Sequence, residues 1–294
     1  MKISIIIPTL NEEKLLPDLL KSIKRQKFKD YEVIVADADS TDKTRQIAQK
    51  HGAKIVPGGK PGRARNNGAK AAQGEFLYFF DADVVLPPDF LQKSWDEIFE
   101  RYLELASCNF KPLSDRPIDQ VLHGIANNYI ALSQFSQQPL AGGACILISR
   151  RLFERVGGFD EKLVLTEDHD LIERAAKFRH FRILFSTEIL ISVRRLEKEG
   201  RVGISRKYLQ TVLHKGVFGK VNSQIFKYDF ADYAVKNNSK EEKELLKIDV
   251  ALQKIADDIS ARVKKFDQEQ HFINLEKLGL EQEKRIQDFI KLFD

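Results

Sequence analysis

Asp81 and Asp83 end the apolar run Phe76–Phe80, one residue apart. Carboxylates at that spacing, where a strand leaves its ladder, can converge on one divalent ion, since Mg²⁺ and Mn²⁺ prefer hard oxygen ligands. Repulsion between the two carboxylates disfavours an empty site, and such an ion could be held against a diphosphate. Acids after a strand also make turns and cap helices, and Pro87-Pro88 suits that plainer reading. Polar groups follow two other apolar runs: Thr9 to Glu12 after Ile3–Ile7 and Pro8, and Asp37 to Asp42 after Tyr31–Ala36.

A second acidic pair, Glu167 and Asp168, stands at the start of a segment with helical spacing. A carboxylate apart from the metal acids could take the proton of an attacking hydroxyl; Thr166, Glu167 and Asp168 could equally just cap the helix. Arg194 and Arg195 offer forked donors that fit phosphate oxygens. Gly142 and Gly143 would let an acceptor approach closely. The glycine-rich "PGGKPGRARNNG" lacks the Lys-Ser/Thr ending of a phosphate loop and reads as a flexible lip. His169 and His180 have no second His or Cys at ligand spacing, and Cys145 falls in an apolar strand as a buried thiol.

These groups need a scaffold. Strands are expected at Ile3–Ile7, Tyr31–Ala36, Ala53–Val56, Phe76–Phe80, Leu103–Phe110, Gly142–Arg150 and Arg182–Val193. Helices are expected over Glu12–Lys24 with Asn11 as cap, and over Thr41–His51, Gly62–Gln73, Pro88–Arg101, 118–135 and Asp168–Lys177. Unbroken apolar strands alternating with helices indicate a mostly parallel, mixed sheet covered on both faces. Ligands in such α/β folds sit beyond the carboxyl ends of the strands, which is where the acids fall.

The chain of 294 residues, 43% hydrophobic, is long enough for one large domain with an appendage. The division expected is a catalytic domain over 1–235 and a charged helical extension over 236–294. In the extension Leu245, Ile248, Leu252, Ile255, Ile259 and Phe266 make one apolar seam, with Arg262 falling in it. That seam suits packing on the core or a dimerisation arm. Two cysteines suggest a reducing compartment, and no apolar stretch approaches the length of a membrane span. A cytoplasmic enzyme is expected. The net charge of +5 favours phosphate-bearing ligands or an anionic membrane surface, and no aromatic-interleaved basic tract argues for nucleic acid. The basic stretch over 205–235 could lie on the inner face of a membrane or pack on the catalytic domain.

Five segments in order resemble a family 2 glycosyltransferase with the GT-A fold. They are "ISIIIPTLNEEKLLPDLLKSI", "YEVIVADADSTDKT", "GRARNNGAKAAQGEFLYFFDADVVLPPDF", "GGACILISRRLFERVGGFDEKLVLTEDHDLIERA" and "ISVRRLEKEGR", the last similar to the double-arginine segment of a bacterial and archaeal branch. The resemblance covers about residues 1–215. It implies inverting transfer of a hexosyl unit from a nucleoside-diphosphate sugar, UDP- or GDP-linked, to a hydroxyl acceptor that is lipid-linked, part of an envelope polymer or a small glycoside. It places Pro8, Thr9, Asn11 and Glu12 around the base and ribose, and Asp37 at the base edge. Arg65 would lie near the base or diphosphate, Asp81 and Ala82 by the ribose or sugar, and Gly142 and Gly143 by the acceptor. Asp83 would ligate Mn²⁺ or Mg²⁺, and Asp168, with Glu167 beside it, would be the general base. Arg194 and Arg195 would face the departing diphosphate. Asp39 stands where the family usually has glycine, and the Gln-x-x-Arg-Trp element of processive members is absent. The competing readings are a phosphohydrolase or nucleotidyltransferase built on Asp81 and Asp83, and a nucleotide-binding protein without turnover. Haloacid-dehalogenase-type phosphohydrolases favour Gly-Thr after the second Asp, where this chain has Val84-Val85.

Overall fold

The computed structural model describes residues 1–136, 138–163 and 166–199. The stretch 205–235 and the helical seam after Leu245 lie outside the described residues.

The strands are β1 (Ile3–Thr9), β2 (Tyr31–Asp37), β3 (Lys54–Pro57), β4 (Phe76–Phe80), β5 (Val84–Val85), β6 (Leu105–Pro112), β7 (Cys145–Ser149) and β8 (Arg182–Ile191). They form one sheet in the order β3-β2-β1-β4-β7-β6-β8-β5. β3, β2, β1 and β4 run parallel. β7 then enters antiparallel to both β4 and β6, while β6 and β8 are parallel. The mixed α/β sheet expected from the sequence is thus present. The helices are α1 (Leu16–Lys24), α2 (Thr44–Lys50), α3 (Pro61–Ala71), α4 (Phe90–Glu100), α5 (Pro117–Ser133), α6 (Arg150–Arg155), α7 (Glu167–Ala176) and α8 (Arg194–Glu199).

The sheet is buried on both faces, and side-chain alternation divides its residues between them. Ile3, Ile5, Ile7, Tyr78 and Phe80 join one core cluster with α1. Ile6, Ile34, Leu77 and Phe79 join the other with Phe153, Phe159 and Leu171. Ser4 is fully buried on that second side and is satisfied: it donates to Glu32 Oε1 (2.6 Å) and accepts from Gly74 N (2.7 Å).

Several boundaries differ from the sequence expectation, each for a local reason. The helix expected from Glu12 begins at Leu16, because Asn11 is left-handed (φ 55°) and bonds across to the next loop instead of capping. Arg150 does not extend β7. Ser149 caps α6, its hydroxyl accepting from Leu152 N at 3.2 Å, and that turns the chain. Gly142 and Gly143 precede β7 in a turn. β8 pairs Cys108 with Leu184 and then Asn109 with Glu188, so its ladder with β6 is interrupted by a bulge. The two-residue strand β5 was not expected; it pairs antiparallel with Leu190 and Ile191.

Candidate functional site

The carboxyl ends of β1 and β2 lie side by side, with Thr9 opposite Asp37. The Asp37 carboxylate is almost fully buried and well held. It accepts from Thr9 Oγ1 (3.0 Å), from the Ser40 amide (3.1 Å) and from the Ser40 hydroxyl (2.6 Å), with Arg45 Nε 3.8 Å away. The loops after the two strands are laced together. Asn11 N donates to Ser40 Oγ (2.9 Å), Thr41 N donates to Asn11 Oδ1 (2.9 Å), and Glu12 N donates to Thr44 Oγ1 (2.8 Å). Asp39 has φ 58°. This left-handed backbone is what a glycine would provide, and Asp is among the few other residues that adopt it readily. Gly58, expected in a flexible lip, is instead clamped under β2: its amide donates to Asp37 O at 2.7 Å, and a Cβ there would stand 2.5 Å from Asp37 C.

The second part of the crevice is organised by Arg65 on α3, only 3% exposed. Its Nη1 donates to Glu167 Oε1 (2.7 Å) and its Nη2 to Asp81 Oδ1 (2.8 Å), reaching Gly143 O at 3.5 Å. Burial opposes its charge, but the charges of Asp81, Glu167 and Asp168 outweigh burial and hold its pKa above the ordinary value. Burial raises the Glu167 pKa, and Asp168 adds to that against the pull of Arg65. Asp168 is half-buried in the first turn of α7. Its Oδ1 accepts from the His169 amide, and a Cβ on Gly143 would stand 3.1 Å from both Asp168 Oδ2 and Arg65 Nη2. Thr166 makes no capping bond and has φ 67°, an uncommon backbone for a β-branched residue, set directly before the acids.

The third part gathers Glu12, Asp83 and Arg194. β5 pairs with the end of β8, and Ser192 N donates to Asp83 O (3.0 Å). That contact brings α8 alongside. Arg194 binds the Glu12 carboxylate through both terminal nitrogens (3.0 and 3.1 Å) and lies 3.7 Å from Asp83 Oδ2. Burial, with Asp81 and Glu12 nearby, pushes the Asp83 carboxyl up to about 6, against the pull of Arg194. Two carboxylates from Asp81 and Asp83 are a hard-oxygen set that fits Mg²⁺ or Mn²⁺ if the remaining ligands come from diphosphate and water. Among the described residues no group of three or more His, Cys, Asp or Glu could hold an ion unaided.

The residues assigned by the resemblance to donor, metal and base therefore converge at the same end of the sheet, with different exposures, whereas His180, next to Arg179, lies at the other end. Pro8 is half-buried beside Ala36, and Arg195 is exposed on α8. The Ala82 side chain packs into the core, so its backbone is what a ligand could meet. Gly142 abuts the Phe110 ring, 3.0 Å from where a Cβ would stand. His180 is exposed, and Cys145 is fully buried. Sequence reasoning missed Asn66. Its amide donates to Phe159 O (2.9 Å) and accepts from Phe159 N (2.9 Å), latching the Gly157–Gly158–Phe159–Asp160 turn that leads toward Glu167 and Asp168. The available signal was its place beside Arg65 in "RNNG", where Gly68 also packs directly on Ile6.

Comparison with known proteins agrees with this architecture. TarS of Staphylococcus aureus, a poly(ribitol-phosphate) β-N-acetylglucosaminyltransferase, is 35% identical over 130 residues, 41% of this chain and 23% of TarS. The chain thus matches less than a quarter of that relative's length. A GalNAc(5)-diNAcBac-PP-undecaprenol β-1,3-glucosyltransferase of Campylobacter jejuni is 38% identical over 95 residues, 28% of this chain and 29% of its own. The structure of TarS 1–349 with UDP superposes with a TM-score of 0.58 at 20% identity, covering 93% of both chains. The mannosyltransferase PcManGT of Pyrobaculum calidifontis, solved with GDP-mannose and Mn²⁺, gives 0.56 at 22% identity, covering 75% of this chain and 66% of its own. At these identities the structures establish the fold, which is the GT-A type. The family model for glycosyl transferase family 2 matches residues 4–157, just over half of the sequence, and the chain belongs to that family.

Proposed function

We propose that the chain moves a hexosyl unit from a UDP- or GDP-sugar to a hydroxyl acceptor, with inversion at the anomeric carbon and with a divalent cation. The observation that carries this reading is the position of Asp168: one carboxylate oxygen is held by a backbone amide while the other faces Gly143, across Arg65 from Asp81. A proton acceptor and a diphosphate-end carboxylate pair thus border one crevice, as a single displacement requires.

In that displacement the acceptor oxygen attacks C1 and gives its proton to Asp168. The bond from C1 to the diphosphate oxygen breaks, and the nucleoside diphosphate leaves with the electron pair. Asp83, with Asp81 beside it, would hold a divalent cation, which would supply positive charge for that leaving group. Thr9, Asn11 and Asp37, with the backbone of Pro8, receive the nucleoside, while Arg194 and Arg195 add positive charge near the diphosphate. Arg65 positions Asp81 and Glu167. The names of the relatives support a hydroxyl on an envelope polymer or lipid-linked glycan as acceptor. Membership of a glycosyltransferase family sets aside the phosphohydrolase and nucleotidyltransferase readings of Asp81 and Asp83.

The test is Asp168→Asn, assayed by nucleoside diphosphate release and by NMR of the product's anomeric configuration. Loss of a general base lowers turnover by about 10²–10⁴-fold, while the thermal shift given by a nucleotide sugar with Mn²⁺ should persist. Transfer at the parent rate, or a retained configuration, refutes the reading. Donor binding without transfer to any acceptor would mark a binding protein.

A further inference from the structure

The far end of the sheet carries a second polar constellation that the transfer chemistry does not use. β4 and β7 pair with Phe80 opposite Cys145 and Phe76 opposite Ser149, so Ser149 lies a full strand length from Asp81. There Glu104, Arg151, Leu152, Arg155 and Arg179 line a recess of about 110 Å³. Glu104 Oε1 accepts from Arg151 Nη2 (2.7 Å) and from Arg179 Nε (2.6 Å), and Oε2 accepts from the Ser149 hydroxyl (2.9 Å). Arg155 lies over the Phe178 ring, its guanidinium carbon 4.1 Å from the centroid. Three guanidinium groups thus face one carboxylate, leaving an excess of two positive charges at one spot.

Pairing with the mostly buried Glu104 accounts in part for Arg151 and Arg179, but not for Arg155. Arg151 and Arg179 are largely exposed, and exposed pairs contribute about 0–1 kcal/mol each. Gathering the third cation into the same recess adds repulsion. What the arrangement does provide is donors in fixed orientation. Glu104 pegs two of the planar groups and Phe178 stacks the third, so little side-chain freedom remains to be lost on binding. Guanidinium forks match phosphate oxygens two at a time, and an excess of positive charge favours an anionic phosphate. Exposed aromatic residues lie at the same end: Phe178 beside Arg155, and Tyr102, 90% exposed, two residues before Glu104. Such rings suit the interfacial zone of a bilayer.

We propose that this recess binds a phosphate group, either a free phosphate monoester or a lipid headgroup, independently of the nucleotide crevice. The full chain, without nucleotide or divalent metal, is titrated with inorganic phosphate at low ionic strength. In parallel it is co-sedimented with vesicles of phosphatidylglycerol or of phosphatidylcholine alone. The double variant Arg155→Gln/Arg179→Gln should lose at least about tenfold in affinity for whichever probe binds. Phosphate binding lost in the variant identifies a soluble ligand. Selective binding to phosphatidylglycerol, lost in the variant, identifies a headgroup. If the double variant does not fold, Arg155→Gln alone decides, since its partner in the fold is the exposed Phe178; about a threefold loss is then expected. Binding of neither probe, or binding that survives the substitutions, overturns the proposal.

Discussion

Replacing Asp83 by Asn should make the unliganded protein more stable at pH 8 and, at the same time, unable to gain stability from a metal and donor. The Asp83 carboxyl is raised from 3.8 to about 6, first by burial and then by Asp81 and Glu12. Its folded pKa exceeds its unfolded one, so over that interval the unfolded chain binds fewer protons than the native one. The native state therefore loses stability as pH rises from about 3.8 through about 6 and recovers none above it. A shift of about two units corresponds to ~3 kcal/mol as an upper bound. The side chain is 21% exposed, and solvent screening reduces the expectation to about 1–2 kcal/mol. Losing the 3.7 Å contact with the partly exposed Arg194 costs less than about 1 kcal/mol, so the net change is stabilising. The carboxylate's penalty is roughly half developed at pH 5 and nearly complete at pH 8, so the advantage of the variant should grow between those values.

Urea denaturation in the presence of a chelator, at several pH values, measures this directly. Adding Mn²⁺ and a nucleoside diphosphate should reverse the order, because a ligand at 100 times its Kd stabilises the parent by about 2.7 kcal/mol while the variant gains little. A variant less stable than the parent at pH 8, or an advantage that does not change with pH, would refute the electrostatic account of this carboxylate.

Arg65→Met should destabilise by about 3–5 kcal/mol, because it strands the carboxylates of Glu167 and Asp81; Arg65→Lys should fall between the two in urea midpoint, keeping the charge but not both forks. Asn66→Ala leaves both backbone groups of Phe159 without their partner and should cost about 1–3 kcal/mol, with a fall in kcat larger than any change in donor affinity. Gly143→Ala puts a methyl 3.1 Å from Asp168 Oδ2 and Arg65 Nη2; turnover should fall by about tenfold or more, with a thermal midpoint close to that of the parent.

The sequence was most legible where structure is local. β1, β2 and β4 are mostly apolar, largely β-branched or aromatic runs, and each was read to within two residues of its observed bounds. The polar strand ends followed from the same pattern. What escaped was set by contacts distant in the chain. Nothing near Asn11 in sequence says that it bonds to Thr41 rather than capping a helix. β5 is two residues long and exists because β8, more than a hundred residues later, runs past it. The resemblance placed Arg65 near the base or diphosphate, but nothing in the sequence names the groups it binds. Its actual partners, Asp81 and Glu167, stand 16 and 102 residues away. Arg194 and Glu12 are 182 residues apart, so their pairing is a property of the fold alone.

That long-range geometry also separates the two members of the acidic pair, of which the resemblance already favoured Asp168 as the base. Glu167 is buried, and its Oε1 receives the Arg65 guanidinium. A carboxylate so engaged has one oxygen committed to a buried ion pair, and removing one partner of such a pair costs about 3–5 kcal/mol. Asp168, one residue on, points elsewhere around the first turn of α7. One of its oxygens is fixed by the His169 amide and the other stands against Gly143, which has no side chain to cover it. Arg65 restrains Glu167 by direct contact. The argument gives opposite expectations for two similar substitutions. Glu167→Gln should lower stability, with the residual folded enzyme still turning over. Asp168→Asn should leave stability nearly unchanged and remove turnover. If Glu167→Gln instead abolished the chemical step in a fully folded protein, the roles assigned to the two acids would have to be exchanged.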